Sequence, residues 1–182
     1  MNADGSATVV SFNISHAGGV IACGIVRSSA IGIDLESIGR DPAPLDIADG
    51  HFSPTEVASL YSLPQALQRR RFFEYWTLKE SYIKATGKGL SIPLDQMSFN
   101  LEGDYDISVS FGRSLTDRPD RWQFLLLRLF ADHVLAVCVD RSGQEKKHLV
   151  IRKLIPLVSE ESFDCVVLRQ SPVDGASLLQ SV

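Results

Sequence analysis

The 182-residue chain has little cysteine: Cys23, Cys138 and Cys165 stand far apart, with no Cys-x-x-Cys pair. An odd number at such spacings excludes a disulfide framework and the usual zinc arrangements, and fits a reducing compartment, the cytoplasm. An excess of basic residues is missing too. Eighteen Lys and Arg stand against 22 Asp and Glu, a formal charge of -4, whereas a general nucleic-acid binder gains affinity by neutralising many phosphates. Any anion site is therefore local, and nucleic acid is not expected as a partner. Long hydrophobic runs are also absent. The most apolar stretch, Phe124 to Val139, is interrupted by Arg128, Asp132 and His133, too short and too charged at its centre for a bilayer. Met1 to Thr8 lacks the basic start and apolar run of a secretory signal. No internal repeat is visible. What remains, at 45% hydrophobic and 22% charged residues, is enough apolar material for the core of one domain, with room for a small appendage.

Local patterns divide the chain into a β-rich body with one dominant helix. Val9 to Phe12 is β-prone and leads into a loop, Asn13 to Gly19, followed by a second apolar strand, Val20 to Arg27. Ile31 to Leu35 alternates with Gly32, Asp34 and Glu36 as a third strand does. Gly39, Pro42, Pro44 and Gly50 mark a loop without periodicity. Ser53, Pro54 and Glu56 form a capping box with proline in the first turn, which starts a short helix reaching about Leu63. From about Gln65 to Thr86 apolar residues recur at helical spacing until Gly87 and Gly89 end the run. Strands are expected at Met97 to Leu101, Tyr105 to Phe111, Trp122 to Phe130 and Val134 to Val139, the last two joined by an Ala131-Asp132-His133 turn.

Four constellations carry candidate chemistry. Asp34 and Glu36, two apart on a strand, project to one side. They form either a solvated strand face or a pair of hard oxygen ligands around Mg2+, whose charge relieves their repulsion. Glu80 and Lys84 share a face of the long helix at i and i+4, as a surface ion pair or as a third metal oxygen beside a phosphate-neutralising lysine. Ser15 and His16 precede a glycine pair, and either cap a turn or donate to a phosphate from a loop. Arg69, Arg70 and Arg71 form the one dense basic run, a solvated face or a contact for an acidic partner.

Taken together, Phe12-Asn13-Ile14-Ser15-His16, Gly32-Ile33-Asp34-Leu35-Glu36, Phe52-Ser53-Pro54-x-Glu56 and the run from Trp76 through Lys79, Glu80 and Lys84 to Leu90 resemble the 4'-phosphopantetheinyl transferases. Their order and spacing are similar to the larger, surfactin-synthetase-activating type, over roughly residues 9 to 140. The resemblance implies transfer of the phosphopantetheine arm of coenzyme A, the co-substrate, to a serine of an acyl or peptidyl carrier protein, releasing 3',5'-ADP. It implies Asp34, Glu36 and Glu80 as the Mg2+ ligands, Glu80 and Lys84 as catalytic groups with Glu36 as a rival base, and Ser15, His16 and Lys84 as coenzyme A contacts. The implied fold is α+β (α/β in the broad sense), an antiparallel sheet packed on a long helix, one half of a pseudo-dimer. On that frame residues 1–30 are a remnant of an N-terminal half carrying the phosphate-contact loop, 31–155 the transferase domain and 156–182 a C-terminal appendage. Most of the first half that larger members possess has no counterpart here. The chain is thus expected to pair with such a half or with itself, as the small holo-acyl-carrier-protein synthases do. The carrier partner is expected to be acidic and to approach Arg69, Arg70 and Arg71. Two other readings use the same residues: a catalytically incomplete module that binds coenzyme A or carrier protein, and a Mg2+-dependent nucleotide hydrolase.

Overall fold

The computed structural model describes residues 9–39, 44–103, 106–142 and 149–172. Its elements in chain order are β1 (Val10–Ala17), β2 (Val20–Arg27), β3 (Ile31–Ser37), α1 (Ala48–His51), α2 (Pro54–Ser62), α3 (Gln65–Thr86), β4 (Met97–Asn100), β5 (Ser108–Phe111), β6 (Trp122–Leu129), β7 (His133–Asp140), β8 (Arg152–Ile155), β9 (Ser159–Ser162) and β10 (Val166–Gln170). The near-continuous apolar character of β6 and β7 suits strands covered on both faces. They form the centre of a four-stranded antiparallel sheet, ordered β10-β6-β7-β3. This is an α+β fold with one long helix on the sheet.

The two faces of that sheet bury different things. On one, Phe72, Leu78 and Tyr82 of α3 meet Phe124, Leu126, Val134 and Ala136, all but inaccessible. On the other, Ile33, Leu35, Leu125, Leu127 and Val137 are covered by Val20, Ala22 and Val26 of the β1–β2 hairpin and by Leu149, Ile151, Phe163 and Val167. Each large side chain removed from water in this way contributes about 1.5–3 kcal/mol. Helix α3 lies directly on β3 because residue 32 is glycine: a Cβ there would collide with the Ser81 carbonyl and the Ala85 backbone. Its boundaries match the expected Gln65 to Thr86, closed by Gly87 in the left-handed region at φ 67°. Helix α2 opens with the expected reciprocal cap, Ser53 Oγ accepting the Glu56 N–H while Glu56 accepts the Ser53 N–H.

Several expectations are corrected. The motif read as a loop, Asn13 to Gly19, is strand: β1 runs to Ala17 and only Gly18 and Gly19, at φ 53° and 80°, turn the hairpin. Asn, Ser and His are poor strand formers locally, but here Asn13 and Ser15 find partners on β3, and pairing overrides propensity. The stretch around Gly50 is not all loop, since Leu45–Ile47 forms a 3-10 turn that runs into α1, while residues 40–43 lie outside those described. β5 starts only at Ser108, and Tyr105 lies outside the described residues. His133 belongs to β7 rather than to the preceding turn. Most consequentially, Val166–Gln170, inside the stretch expected to be an appendage, is the outer strand of the main sheet. Its end is tied by Ser171, whose Oγ accepts the Phe124 N–H at 3.0 Å and whose own N–H donates to the Phe124 carbonyl. Every residue of both strands of the β8–β9 hairpin is exposed. Among the described residues no helix is long and apolar enough to cross a membrane.

Candidate functional site

β3 is the edge strand of the main sheet, and its alternation sends Gly32, Asp34 and Glu36 towards α3 while Ile31, Ile33 and Leu35 enter the opposite core face. Asp34 is buried and Glu36 half-buried. From α3, Lys84 reaches across and donates to Asp34 Oδ1 at 2.7 Å. From β1, Ser15 Oγ donates to the same oxygen at 3.1 Å. Three elements therefore converge on one carboxylate. Its second oxygen, Oδ2, is buried and has no hydrogen-bond partner among the described residues. Such an orphaned acceptor is costly inside a fold and marks a place where a donor or cation is absent.

Burial pushes the Asp34 carboxyl above its ordinary range, while Lys84 and, more weakly, Ser15 and the Leu35 N–H pull it back. Glu80, one turn before Lys84, is also pushed up, first by burial and then by the negative charge of Asp34, with Lys84 and His51 opposing. The Asp34 carboxylate thus adds to the raised proton affinity of Glu80, while Lys84 opposes the shift of both groups. The structure brings together Asp34, Glu80, Lys84 and Ser15. Glu36 shares the strand face of Asp34. Among the described residues, however, no three His, Cys, Asp or Glu side chains converge closely enough to enclose a metal ion. The expected triad of Asp34, Glu36 and Glu80 is not preassembled, and Asp34 Oδ1 is held by Lys84 instead.

Ser15 and His16 are separated by the strand that carries them. Successive residues point to opposite faces, so Ser15 is buried against β3 while His16 is exposed on the outer face of the hairpin. A loop offering both to one phosphate is not what β1 makes. The arginine run is likewise divided: Arg70 and Arg71 donate to opposite oxygens of the buried Glu74, at 2.9 and 3.1 Å.

Three residues with a bearing on this region were given no role of their own by the sequence. Asn13 Oδ1 accepts the Ile33 N–H at 3.1 Å, and its period-two spacing from Ser15 was the available clue. His51 is fixed by a bond between Nδ1 and the Ile47 carbonyl at 3.0 Å, and its ring leans on Trp76, one turn before Glu80. Arg169 of β10 lies in the field of Arg70, Arg71 and Glu74 and is held below its ordinary range chiefly by burial. Nothing local in the Val166–Gln170 sequence identifies that position.

A profile of the 4'-phosphopantetheinyl transferase superfamily matches residues 30–138. A 4'-phosphopantetheinyl transferase of Bacillus subtilis is 40% identical over 130 residues, covering 70% of this chain and 54% of that protein. The 4'-phosphopantetheinyl transferase Sfp of Bacillus subtilis strain 168 is 43% identical over 98 residues, 54% of this chain and 42% of that one. The chain spans about half the length of these curated relatives. Among solved structures, the Thermotoga maritima holo-[acyl-carrier-protein] synthase aligns at a TM-score of 0.47 and 19% identity, over 70% of each chain.

Proposed function

The chain belongs to the 4'-phosphopantetheinyl transferase superfamily, and from that premise we propose that it transfers the phosphopantetheine arm of coenzyme A to a serine of a carrier protein, releasing 3',5'-ADP. The observation that carries this reading is Asp34: a buried carboxylate with one oxygen bonded to Lys84 and Ser15 and the other without a partner among the described residues. An oxygen lone pair, with Glu36 on the same strand face and Glu80 electrostatically coupled to it, is a donor set suited to a hard divalent cation. Asp34, Glu36 and Glu80 are the residues that would hold Mg2+. When bound, the ion supplies positive charge against the coenzyme's pyrophosphate.

The chain's own groups account for the rest. Lys84, 28% exposed at its side chain, is poised between the buried carboxylate and solvent, where its ammonium offsets the charge that builds on the departing phosphate. In the reaction the carrier serine oxygen forms a bond to phosphorus as the bond to 3',5'-ADP breaks, and the serine proton passes to a carboxylate. Glu80 is assigned that proton, with Glu36 as the rival. Burial and the charge of Asp34 raise the proton affinity of Glu80, the direction that favours a proton acceptor. His16, exposed on β1, is the phosphate contact at the 3' end of the coenzyme.

The carrier is read as acidic. Arg70, Arg71 and Arg169 outnumber the buried Glu74 beside them, which supports a positive docking surface despite the chain's overall charge of -4. The outer face of the β1–β2 hairpin exposes Phe12 (67%), Ile21 (76%) and Ile25 (67%), an apolar area that supports pairing with a further half or a second copy. Residues 31–155 are read as the core of the transferase unit, with the β1–β2 hairpin and β10 as parts of it. The cytoplasm suits the free thiols of Cys23, Cys138 and Cys165.

The test is a transfer assay with this chain, Mg2+, coenzyme A and an apo acyl carrier protein, read as the carrier's mass. Gain of the phosphopantetheine arm is the expected result. A folded chain that binds coenzyme A but leaves the carrier's mass unchanged would replace this reading with that of a binding module.

A further inference from the structure

Of the four strands of the main sheet, β10 alone lies wholly outside residues 30–138, the span that matches the superfamily. Its register with β6 is broken by a bulge: Val167 stands opposite Leu127 and Arg169 opposite Leu126, so Leu168 is an extra residue between them. Residues that face each other across a ladder project to the same side of a sheet. Leu127 belongs to the core under the β1–β2 hairpin and Leu126 to the core under α3. Strict alternation from Val167 would put Arg169 on the hairpin side as well. The bulge turns it over, towards the helix.

There it meets charges of its own sign. Arg70 and Arg71 each donate one N–H to Glu74, on opposite carboxylate oxygens at 2.9 and 3.1 Å, and the Glu74 side chain is 5% exposed. Arg169 donates to the Gly103 carbonyl, and it is attracted by Glu74 but repelled by Arg71 and Arg70. Among the described residues this cluster sets three guanidiniums, which keep their charge at any ordinary pH, around one carboxylate. Arg71 and Arg169 are both half-buried. Packing a third like charge into a partly dry place is unfavourable unless an anion joins it. Each guanidinium has five N–H donors, and those left over form a planar fork suited to an oxyanion.

Resting on the proposed transferase reading, we infer that the bulge of β10 places Arg169 as a specificity residue for the carrier protein, where with Arg70 and Arg71 it receives an acidic side chain of the carrier. The occupant follows from position and charge. Glu74 and Glu80 are six residues apart on α3, about 9 Å along its axis, and the carrier serine has to reach Glu80. A folded domain of about 100 residues has a radius of gyration of about 13 Å, large enough to cover both places at once. An acidic carrier complements this cluster in a chain that otherwise carries a net charge of -4. The contact adds to those made around Glu80 and sets which carriers are held.

The experiment compares Arg169→Gln with the unaltered chain. In transfer assays the KM for apo carrier protein is expected to rise about 5–10-fold, while kcat and the KM for coenzyme A stay as they were. The increase of carrier KM from low to physiological salt should be shallower in the variant, because one charge contact is gone. Lys153→Gln on the β8–β9 hairpin makes the same change of charge and should leave the carrier KM and its salt dependence alone. A carrier KM unchanged in Arg169→Gln, or raised equally in Lys153→Gln, would overturn the inference.

Independently of any turnover, the 15N-labelled chain is titrated with apo carrier protein and, separately, with sulfate, and the arginine Nε–H resonances are followed. Carrier should shift the signals of Arg169, Arg70 and Arg71, and Arg169→Gln should weaken carrier binding about 5–10-fold. A chain that transfers nothing, yet shows these shifts and this loss, keeps the docking role and loses the enzymatic reading. Shifts with sulfate but none with carrier, or no carrier binding at all, sink the docking role. Transfer in a chain whose arginine signals ignore the carrier sinks it too, and leaves the enzymatic reading standing. Where Arg169→Gln does not fold, Arg70→Gln, at a side chain 45% exposed, replaces it in both measurements with the same expected directions and the same overturning results.

Discussion

Helix α3 carries two lysine–carboxylate pairs five residues apart, and they are built to opposite ends. Five residues turn a helix through about 500°, leaving Lys79 and Lys84 on faces roughly 140° apart. Lys79 points away from β3 into the contact with α2 and β4. Its ammonium meets Glu56 Oε2 at 2.8 Å, both side chains are wholly inaccessible, and it also donates to the Leu94 and Met97 carbonyls. Glu56 in turn accepts the Ser53 and Phe99 N–H groups, each at 2.8 Å. Every polar atom of that pair is used. Lys84 and Asp34 lie at the sheet edge, 28% and 8% exposed, and leave Asp34 Oδ2 unsatisfied. A saturated pair holds elements together, whereas an unsaturated one retains capacity for a ligand.

The sharpest way to break this contrast is to cut the saturated pair. Lys79→Met or Glu56→Gln is expected to cost about 3–5 kcal/mol of unfolding free energy in a denaturant titration, because the remaining partner stays buried without its counter-charge. The double variant Lys79→Met/Glu56→Leu should recover little of this, since the Ser53 and Phe99 N–H groups then lose their acceptor. A loss below about 1 kcal/mol would mean that the pair is not the strut described.

Next in size, Gly32→Ala forces a Cβ into the Ser81 and Ala85 backbone. It should cost about 1–3 kcal/mol and weaken the Lys84 contact more than the Lys79 contact, as followed by side-chain NMR of the two ammonium groups. Equal disturbance of both would show that the pairs are not separable.

Smaller still in stability, Asp34→Asn should leave the unfolding free energy within about 1 kcal/mol, with any shift towards greater stability, because it removes a carboxylate whose burial is penalised. Lys84→Met should reduce transfer by about 100–1,000-fold with a smaller stability loss than Lys79→Met, because Asp34, already biased towards its protonated form, takes up a proton when the ammonium is gone. A large destabilisation by either would erase the distinction between strut and site.

The smallest effect is one of pH. Burial raises Asp34 and Glu80 above their ordinary values of 3.8 and 4.5, so between those values and the folded ones the native state binds more protons than the unfolded chain. Their contribution to stability is therefore greatest at and below the ordinary values and is lost as pH rises through the raised ones. Unfolding curves of the unaltered chain and of Asp34→Asn/Glu80→Gln should diverge in that direction. Parallel curves would show that folding raises neither carboxyl.

Legibility followed the range of the interaction. The α2 capping box and the whole of α3 were readable because caps, glycine stops and 3.6-residue spacing act within a few residues. The placement of Asp34 and Glu36 on one face followed from strand alternation alone. The local preferences of Asn13 and Ser15 say loop, and the N–H groups that make them strand belong to residues about 20 positions away. β10 was missed for the same reason, its partner β6 lying about 40 residues upstream. Arg70 and Arg71 were read as a free basic face, although an acidic residue three and four positions on was enough to suggest their clamp on Glu74.

What the sequence by itself determined is the set of chemical groups and their order: the Gly32–Glu36 strand, the helix bearing Lys79, Glu80 and Lys84, and the motifs that place the chain in its superfamily. Only the tertiary structure decided which lysine is locked and which is available, which of Ser15 and His16 faces inward, and that Asp34 keeps one oxygen unsatisfied. The reason is physical: helix and strand periodicities are set by bonded neighbours, but burial and the satisfaction of a polar atom depend on whichever distant segment folds against it.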